Sequence, residues 1–367
     1  MNQAKIISLS SYQKRQAALL YYFSSLEFLD QIIERVRALV AFTDTTLDYV
    51  TRVERDKAMR QLGWAEGHLS SNWSTYAHPM LKDCLRGLLE QKRLRATEWY
   101  DIAGVRDALT GMSHFSMNWT LPEEEQVFLQ LSNEARGIAA KLDMTVLRFW
   151  TDLDMSSAWE QYQHRFPRMP KFRVRADVEG ESGKRPVRTG VYMPQDDPVG
   201  TLQFAWIGNS DGALGQCETL SKLAREYMGS VGRDRLWRAP SDAFRNPERV
   251  EPTDEYFDDW CRTARRMHFP DEISARNERA FSSRPCKWYF VERIADEFED
   301  EAVVTIHDPD RIRCLPGELV PRSGWWHSPA LPGEQGLRHF SQESNFPDIS
   351  STEWGAVFWY FDASRQK

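Results

Sequence analysis

Between Met1 and Leu62 the chain has neither glycine nor proline. Glycine and proline are the strongest punctuation of a chain, so their absence there favours long helices. No apolar run approaches the ~18–20 residues that a bilayer requires, so no membrane-spanning helix is expected. The five cysteines, at 84, 217, 261, 286 and 314, form no CxxC pair and have no regular spacing, which argues against a zinc or disulfide framework. They read as free thiols of a cytoplasmic protein. Excess positive charge is missing as well. The net charge is −7 and neither half is basic, which disfavours direct binding to nucleic acid, because phosphate contacts need a lysine- or arginine-rich face. A basic protein partner is compatible with this balance.

Known catalytic signatures are also lacking. The chain has no GxSxG, no phosphate-binding GxxxxGK[ST], no HExxH and no glycine-rich dinucleotide fingerprint. No catalytic residue, cofactor or metal site is expected. Two weak alternatives are a hydrolase or metal site at the His307-Asp308-Pro309-Asp310 turn, and a small-molecule pocket around Trp325, Trp326 and Trp359. Asp-Pro-Asp more often makes a turn, and tryptophan more often packs in a core.

What is present divides in two. Leu19, Phe23, Leu26, Leu29, Ile33, Val36 and Val40 step by three or four, the mark of one long amphipathic helix. Thr43-Asp44-Thr45 offers a cap for a second helix running towards Gly63. Further helices are expected at Met80–Glu90, at Thr97–Leu109, from Thr120-Leu121-Pro122 with its three following glutamates, and after a cap at Asp143. Prolines at 167 and 170 break this pattern, so residues 1–165 read as a bundle of five or six helices. Residues 166–367 read as an α+β domain with a mostly antiparallel sheet. Strands are expected at Lys171–Asp177, Lys287–Val291 and Ala302–Ile306, with helices at Cys217–Met228 and Thr253–Met267.

A single pattern occurs twice in the α+β domain, over residues 183–208 and 317–362. Arg188-Thr189-Gly190 with Tyr192 and Pro194 answers Arg322-Ser323-Gly324 with Trp326 and Pro329, Trp325 standing directly after the second glycine. Each copy reaches a glycine before an apolar run, Gly200 to Trp206 and Gly355 to Tyr360 with Trp359, which suggests a turn-strand unit used twice. Carboxylates cluster at Asp196-Asp197, Asp258-Asp259 and Asp296-Glu297 with Glu299-Asp300, and are expected to form a negative surface for a cationic partner if the fold gathers them.

The stretches PGELVPRSGWWHSPA and GAVFWYFD, with VRTGVYMPQDDPVGTLQFAWIG and VGRDRLW, resemble the immunity protein 71 and 72 families of bacterial polymorphic toxin systems. The likeness spans roughly residues 170–362. It implies a cytoplasmic protein that binds and neutralises a cognate toxin, delivered by contact or by type VI secretion. The toxin it implies acts in the cytosol, as a nuclease does, and nucleases are commonly basic.

Overall fold

A computed structural model of the chain describes residues 7–222, 224, 225, 228, 281–299, 313, 314, 316–328, 331, 335–342, 344–349, 351, 352 and 355–362. The architecture is α+β, helices first and antiparallel strands after. It divides into two compact units, Met1–Glu297 and Phe298–Lys367.

The first unit begins with eight helices among its described residues: α1 (Ser11–Phe23), α2 (Leu26–Arg52), α3 (Arg55–Gln61), α4 (Ser70–Tyr76), α5 (His78–Leu94), α6 (Val105–Met112), α7 (Pro122–Leu147) and α8 (Asp152–Tyr162). Their boundaries differ from the periodicity in instructive ways. The long amphipathic stripe is two helices, because the Ser24 hydroxyl donates back to the Leu20 carbonyl (2.8 Å) while Ser25 caps α2 by accepting the Phe28 N–H (3.1 Å). Thr43 ends nothing. It lies inside α2, its hydroxyl bonded one turn back to Leu39 (2.8 Å), and Thr46 does the same to Phe42 (2.9 Å). A hydroxyl side chain serves either as a cap or as such a back-bond, and burial of Thr43 and Thr46 selects the second.

Thr97–Leu109 is not one helix. Glu98 and Gly104 take positive φ (55° and 70°), and α6 starts only at Val105. Asp143 does not cap a new helix either. It sits within α7 and accepts the Ala103 N–H at 2.6 Å, tying the irregular 98–104 stretch to that helix. Burial there pushes its carboxyl above the ordinary range. Pro122 does start α7 as expected, with Glu124 reaching back to the Leu121 N–H (2.8 Å) and forward to Arg55 (2.7 Å).

Strands β1 (Pro170–Glu181), β2 (Gly190–Pro194), β3 (Gln203–Ala205) and β6 (Lys287–Phe298) form a sheet in the order β1-β6-β2-β3, and β4 (Cys217–Leu220) pairs β5 (Phe281–Arg284) as a separate ribbon. The expected helix at Cys217 therefore begins as a strand, whose partner lies far along the chain and leaves no mark on local periodicity. Secondary structure does change at 166–170, but the core does not divide there. Val191, Met193, Phe204 and Val291 share one cluster with Leu19, Phe23 and Val146 of the helices. Tyr21 of α1 donates its hydroxyl to the Val291 carbonyl (2.6 Å), and Gln16 accepts the Leu202 N–H (3.1 Å), so α1 is bonded across this face of the sheet. The opposite face packs Tyr192, Ala205, Trp288 and Phe290 against Leu214 and Cys217.

In the second unit β7 (Arg313–Cys314), β8 (Gly324–His327), β9 (Leu337–Phe340) and β12 (Trp359–Phe361) take the order β7-β12-β8-β9, beside a ribbon of β10 (Ser351–Thr352) and β11 (Gly355–Ala356). This is the topology of the first sheet and ribbon over again, strand for strand: 1-6-2-3 with 4-5, then 7-12-8-9 with 10-11. Its core is Cys314, Val320, Trp326, Leu331, Phe346, Val357 and Trp359. The expected strand at Ala302–Ile306, the helix at Thr253–Met267 and the His307 turn with Asp308 and Asp310 lie outside the described residues.

Candidate functional site

The two corners that open β2 and β8 are built alike. Gly190 and Gly324 have φ of 150° and 151°, a conformation that side chains rarely adopt. Two residues on, Tyr192 donates its hydroxyl to the Arg188 carbonyl (2.7 Å), and Trp326 donates its indole N–H to the Arg322 carbonyl (3.3 Å). The hydroxyl residue before each glycine accepts a backbone N–H from just past the neighbouring strand: Thr189 from Ile207 (3.1 Å), Ser323 from Gln342 (2.8 Å). Opposite each aromatic stands a phenylalanine, Phe290 beside Tyr192 (5.4 Å) and Phe361 beside Trp326 (5.2 Å). Burial pushes the Tyr192 phenol up to about 12, so it remains a donor throughout the physiological range.

These residues hold a fold. Trp206 is buried and donates to Asn209 (2.6 Å), and Gly200 faces the Cys217 sulfur and Pro194, where an added Cβ would lie 2.7 Å from each. One pairing inferred from the sequence is corrected by the register. Gly190 lies opposite Ala205 and Gly324 opposite Phe340, so β3 matches β9, and the run from Gly355 to Tyr360 matches Arg284–Tyr289, the end of β5 and the start of β6, rather than Gly200–Trp206. The sequence carries the right signal, an identical tripeptide: Trp288-Tyr289-Phe290 and Trp359-Tyr360-Phe361. Both tryptophans are fully buried.

The copies differ on one face. In the first sheet Val191, Met193, Leu202 and Phe204 lie in the core shared with the helices. The register places Trp325, His327, Leu337 and His339 at the corresponding positions of the second sheet. There Trp325 is 36% exposed and the two histidines are exposed, whereas Val191 and Phe204 are 0% and 2% exposed. Trp325 meets His339 edge to face (5.7 Å), and His327 stacks on Tyr360 (5.6 Å). An indole flanked by imidazoles combines large apolar area with hydrogen-bonding edges, the composition of an interface anchor.

The carboxylates are not assembled into one surface among the described residues. Asp196 is exposed on the turn after β2, while Asp296 and Glu297 lie at the far end of β6. Pro194 pairs with Trp288, and eight residues at ~3.3 Å each put Asp296 roughly 25 Å further along the strand. Glu297 is ion-paired with Lys171 (2.9 Å). Glu299 belongs to the second unit, and Asp258, Asp259 and Asp300 lie outside the described residues.

Asp197 is a structural anion, only 2% exposed. It accepts from Thr219 (2.8 Å), Arg225 (2.7 Å), Arg284 (3.3 Å) and the Val199 N–H (3.2 Å), joining the turn after β2 to the β4-β5 ribbon. Burial alone would raise its carboxyl, but the bonds from Thr219, Arg225 and Val199 outweigh burial and hold it below the ordinary range. A carboxyl depressed on folding adds stability that is complete above its unfolded value of about 4 and lost as pH falls through the folded value. Asp197→Asn is therefore expected to cost on the order of 2–3 kcal/mol at neutral pH, with half-exposed arginines left to solvent. The gap to wild type should close below about pH 4 in urea titrations. A gap that persists in acid would show that geometry, and not charge, is what the variant lost.

Among the described residues no three His, Cys, Asp or Glu side chains converge to hold a metal ion, and no helix is long and apolar enough to cross a membrane. No protein-family model, curated protein or solved structure matches the chain.

Proposed function

We propose that the protein is an immunity protein that binds a cognate bacterial toxin in the cytoplasm and neutralises it by occlusion, and that Trp325, His327, Leu337 and His339 supply part of the contact. The observation that carries this reading is the exposed aromatic face of the second sheet, at positions that are core in the first. A duplicated sheet has no structural need to put tryptophan where solvent reaches it. The resemblance of the Pro316–Ala330 and Gly355–Asp362 stretches to immunity proteins supports the class, and the net charge of −7 suits a basic, nucleic-acid-cleaving partner.

The test is to ask whether the gene beside this one encodes a protein that arrests growth, and to co-express the two. Growth should be rescued and a complex recovered. Trp325→Ala combined with His339→Ala should weaken that complex by about 30-fold or more, the ~2 kcal/mol typical of losing an interface anchor. Unrescued growth with no complex would refute the immunity reading. Rescue that survives the double variant at full affinity would refute only the assignment of this face.

A further inference from the structure

Two of the buried cysteines are neighbours. Cys217 opens β4 opposite Arg284, and Cys286 follows two residues after that arginine, a diagonal placement across the ribbon that puts both side chains in one buried cluster with Trp288 and Phe290. Neither is in a disulfide, and their exposures are 0% and 9%. Around them the site is built. Ser182 brackets Cys286, accepting its N–H (3.1 Å) and donating to its carbonyl (3.2 Å), and the same hydroxyl takes the Trp288 indole N–H (3.1 Å). Gly200 leaves room at the Cys217 sulfur, where any Cβ would intrude to 2.7 Å.

Packing does not require a thiol at position 286. The matching residue of the second copy, one place before the equivalent of Lys287, is Val357, buried in its own core at 1% exposure. A valine therefore fills this place where only volume is needed, and the first copy carries sulfur instead.

We propose that Cys217 and Cys286 form a reversible disulfide pair oxidised by hydrogen peroxide, locking β4 to the start of β6 and closing the chain between them into a loop. Cys217 donates its thiol proton to the Glu218 carbonyl (3.7 Å), and the neighbouring Cys286 and burial push that thiol up, whereas the neighbouring Cys217, Ser182 and the Arg284 guanidinium favour the Cys286 thiolate and lower its pKa despite burial. Cys286 is thus the attacking sulfur. Its thiolate takes one peroxide oxygen, the O–O bond breaks, and the departing hydroxide leaves as water with a proton. The Cys217 sulfur then attacks the sulfenic sulfur, its proton leaving with the hydroxyl as a second water while the S–S bond forms. Two thiols and one peroxide give one disulfide and two waters. Cys84 offers the contrast, since burial pushes its thiol up to about 11, with no thiol among the described residues placed to resolve a sulfenic acid there.

The full chain, reduced and then freed of reductant, is treated with a small excess of hydrogen peroxide, alkylated, and digested without reduction. A Cys217–Cys286 cross-linked peptide is expected, with the intact mass lower by two hydrogens, a raised thermal midpoint, and return of both thiols on adding reduced glutathione. Cys217→Ser should stop at a dimedone-trapped sulfenic acid on Cys286. Recovery of both cysteines alkylated while Cys84 or Cys314 is oxidised, or a cross-link that forms only in urea, would overturn the proposal. The wild-type peptide map decides this even if the variant fails to fold, and neither outcome depends on whether a toxin is bound.

Discussion

Replacing Trp359 with alanine is expected to unfold the second unit while leaving the first intact. Its ring is fully buried, stacks on Phe346 at 5.6 Å and meets Phe340 edge-on at 5.0 Å. Truncating a buried tryptophan typically costs about 3–5 kcal/mol, from lost transfer free energy and from the cavity left behind. Among the described residues the core it leaves is Cys314, Val320, Trp326, Leu331, Phe346 and Val357. Whole domains hold only about 5–15 kcal/mol, so a loss of that size is large for a unit this small. Hydrogen exchange should show the amides of β8, β9 and β12 losing protection while those of α2 and α7 keep theirs. Trp359→Phe, which retains the stacked ring, should be far milder. Unchanged protection in the alanine variant would mean that the second sheet draws its stability from something other than this core.

Gly190→Ala should be nearly as damaging, for two separate reasons. At φ 150° a Cβ is strained whatever surrounds it, at about 1–3 kcal/mol. That Cβ would also lie 2.7 Å from the Phe290 ring and 2.8 Å from the Tyr21 hydroxyl, so the sheet or α1 must shift. Overpacking of this kind adds about 1–3 kcal/mol. The sum, on the order of 3–4 kcal/mol, should appear as a lower urea midpoint with loss of the α1–sheet contact. A cost below about 1 kcal/mol would show that neither the strained backbone nor the packing of Phe290 and Tyr21 restricts this corner.

Much of the helical half was legible because its signals are local. A proline at the first turn with glutamates behind it starts α7 where the residues say, since dipole and cap both act within one turn. Serine and threonine were misleading for an equally local reason. Ser24-Ser25 breaks a helix and Thr43-Asp44-Thr45 does not, although both offer the same hydroxyl chemistry. Strand β4 was unreadable, because a strand is defined by its partner and β5 lies outside any local window. The candidate face shows the same division. Trp325 and Trp326 are adjacent and chemically identical, and alternation along β8 shows that one points in and one out, but not which.

By itself the sequence determined the order of helices before strands and the repeated arginine-hydroxyl-glycine-aromatic corner, because caps, prolines and positive-φ glycines act within a few residues of themselves. Only the tertiary structure decided that Asp197 is an internal counter-ion rather than a surface charge, that the Trp-Tyr-Phe strands are the matching pair, and that one copy of the sheet buries the face the other exposes. Those outcomes depend on which segments lie against one another, and burial is a property of that neighbourhood, not of the residue.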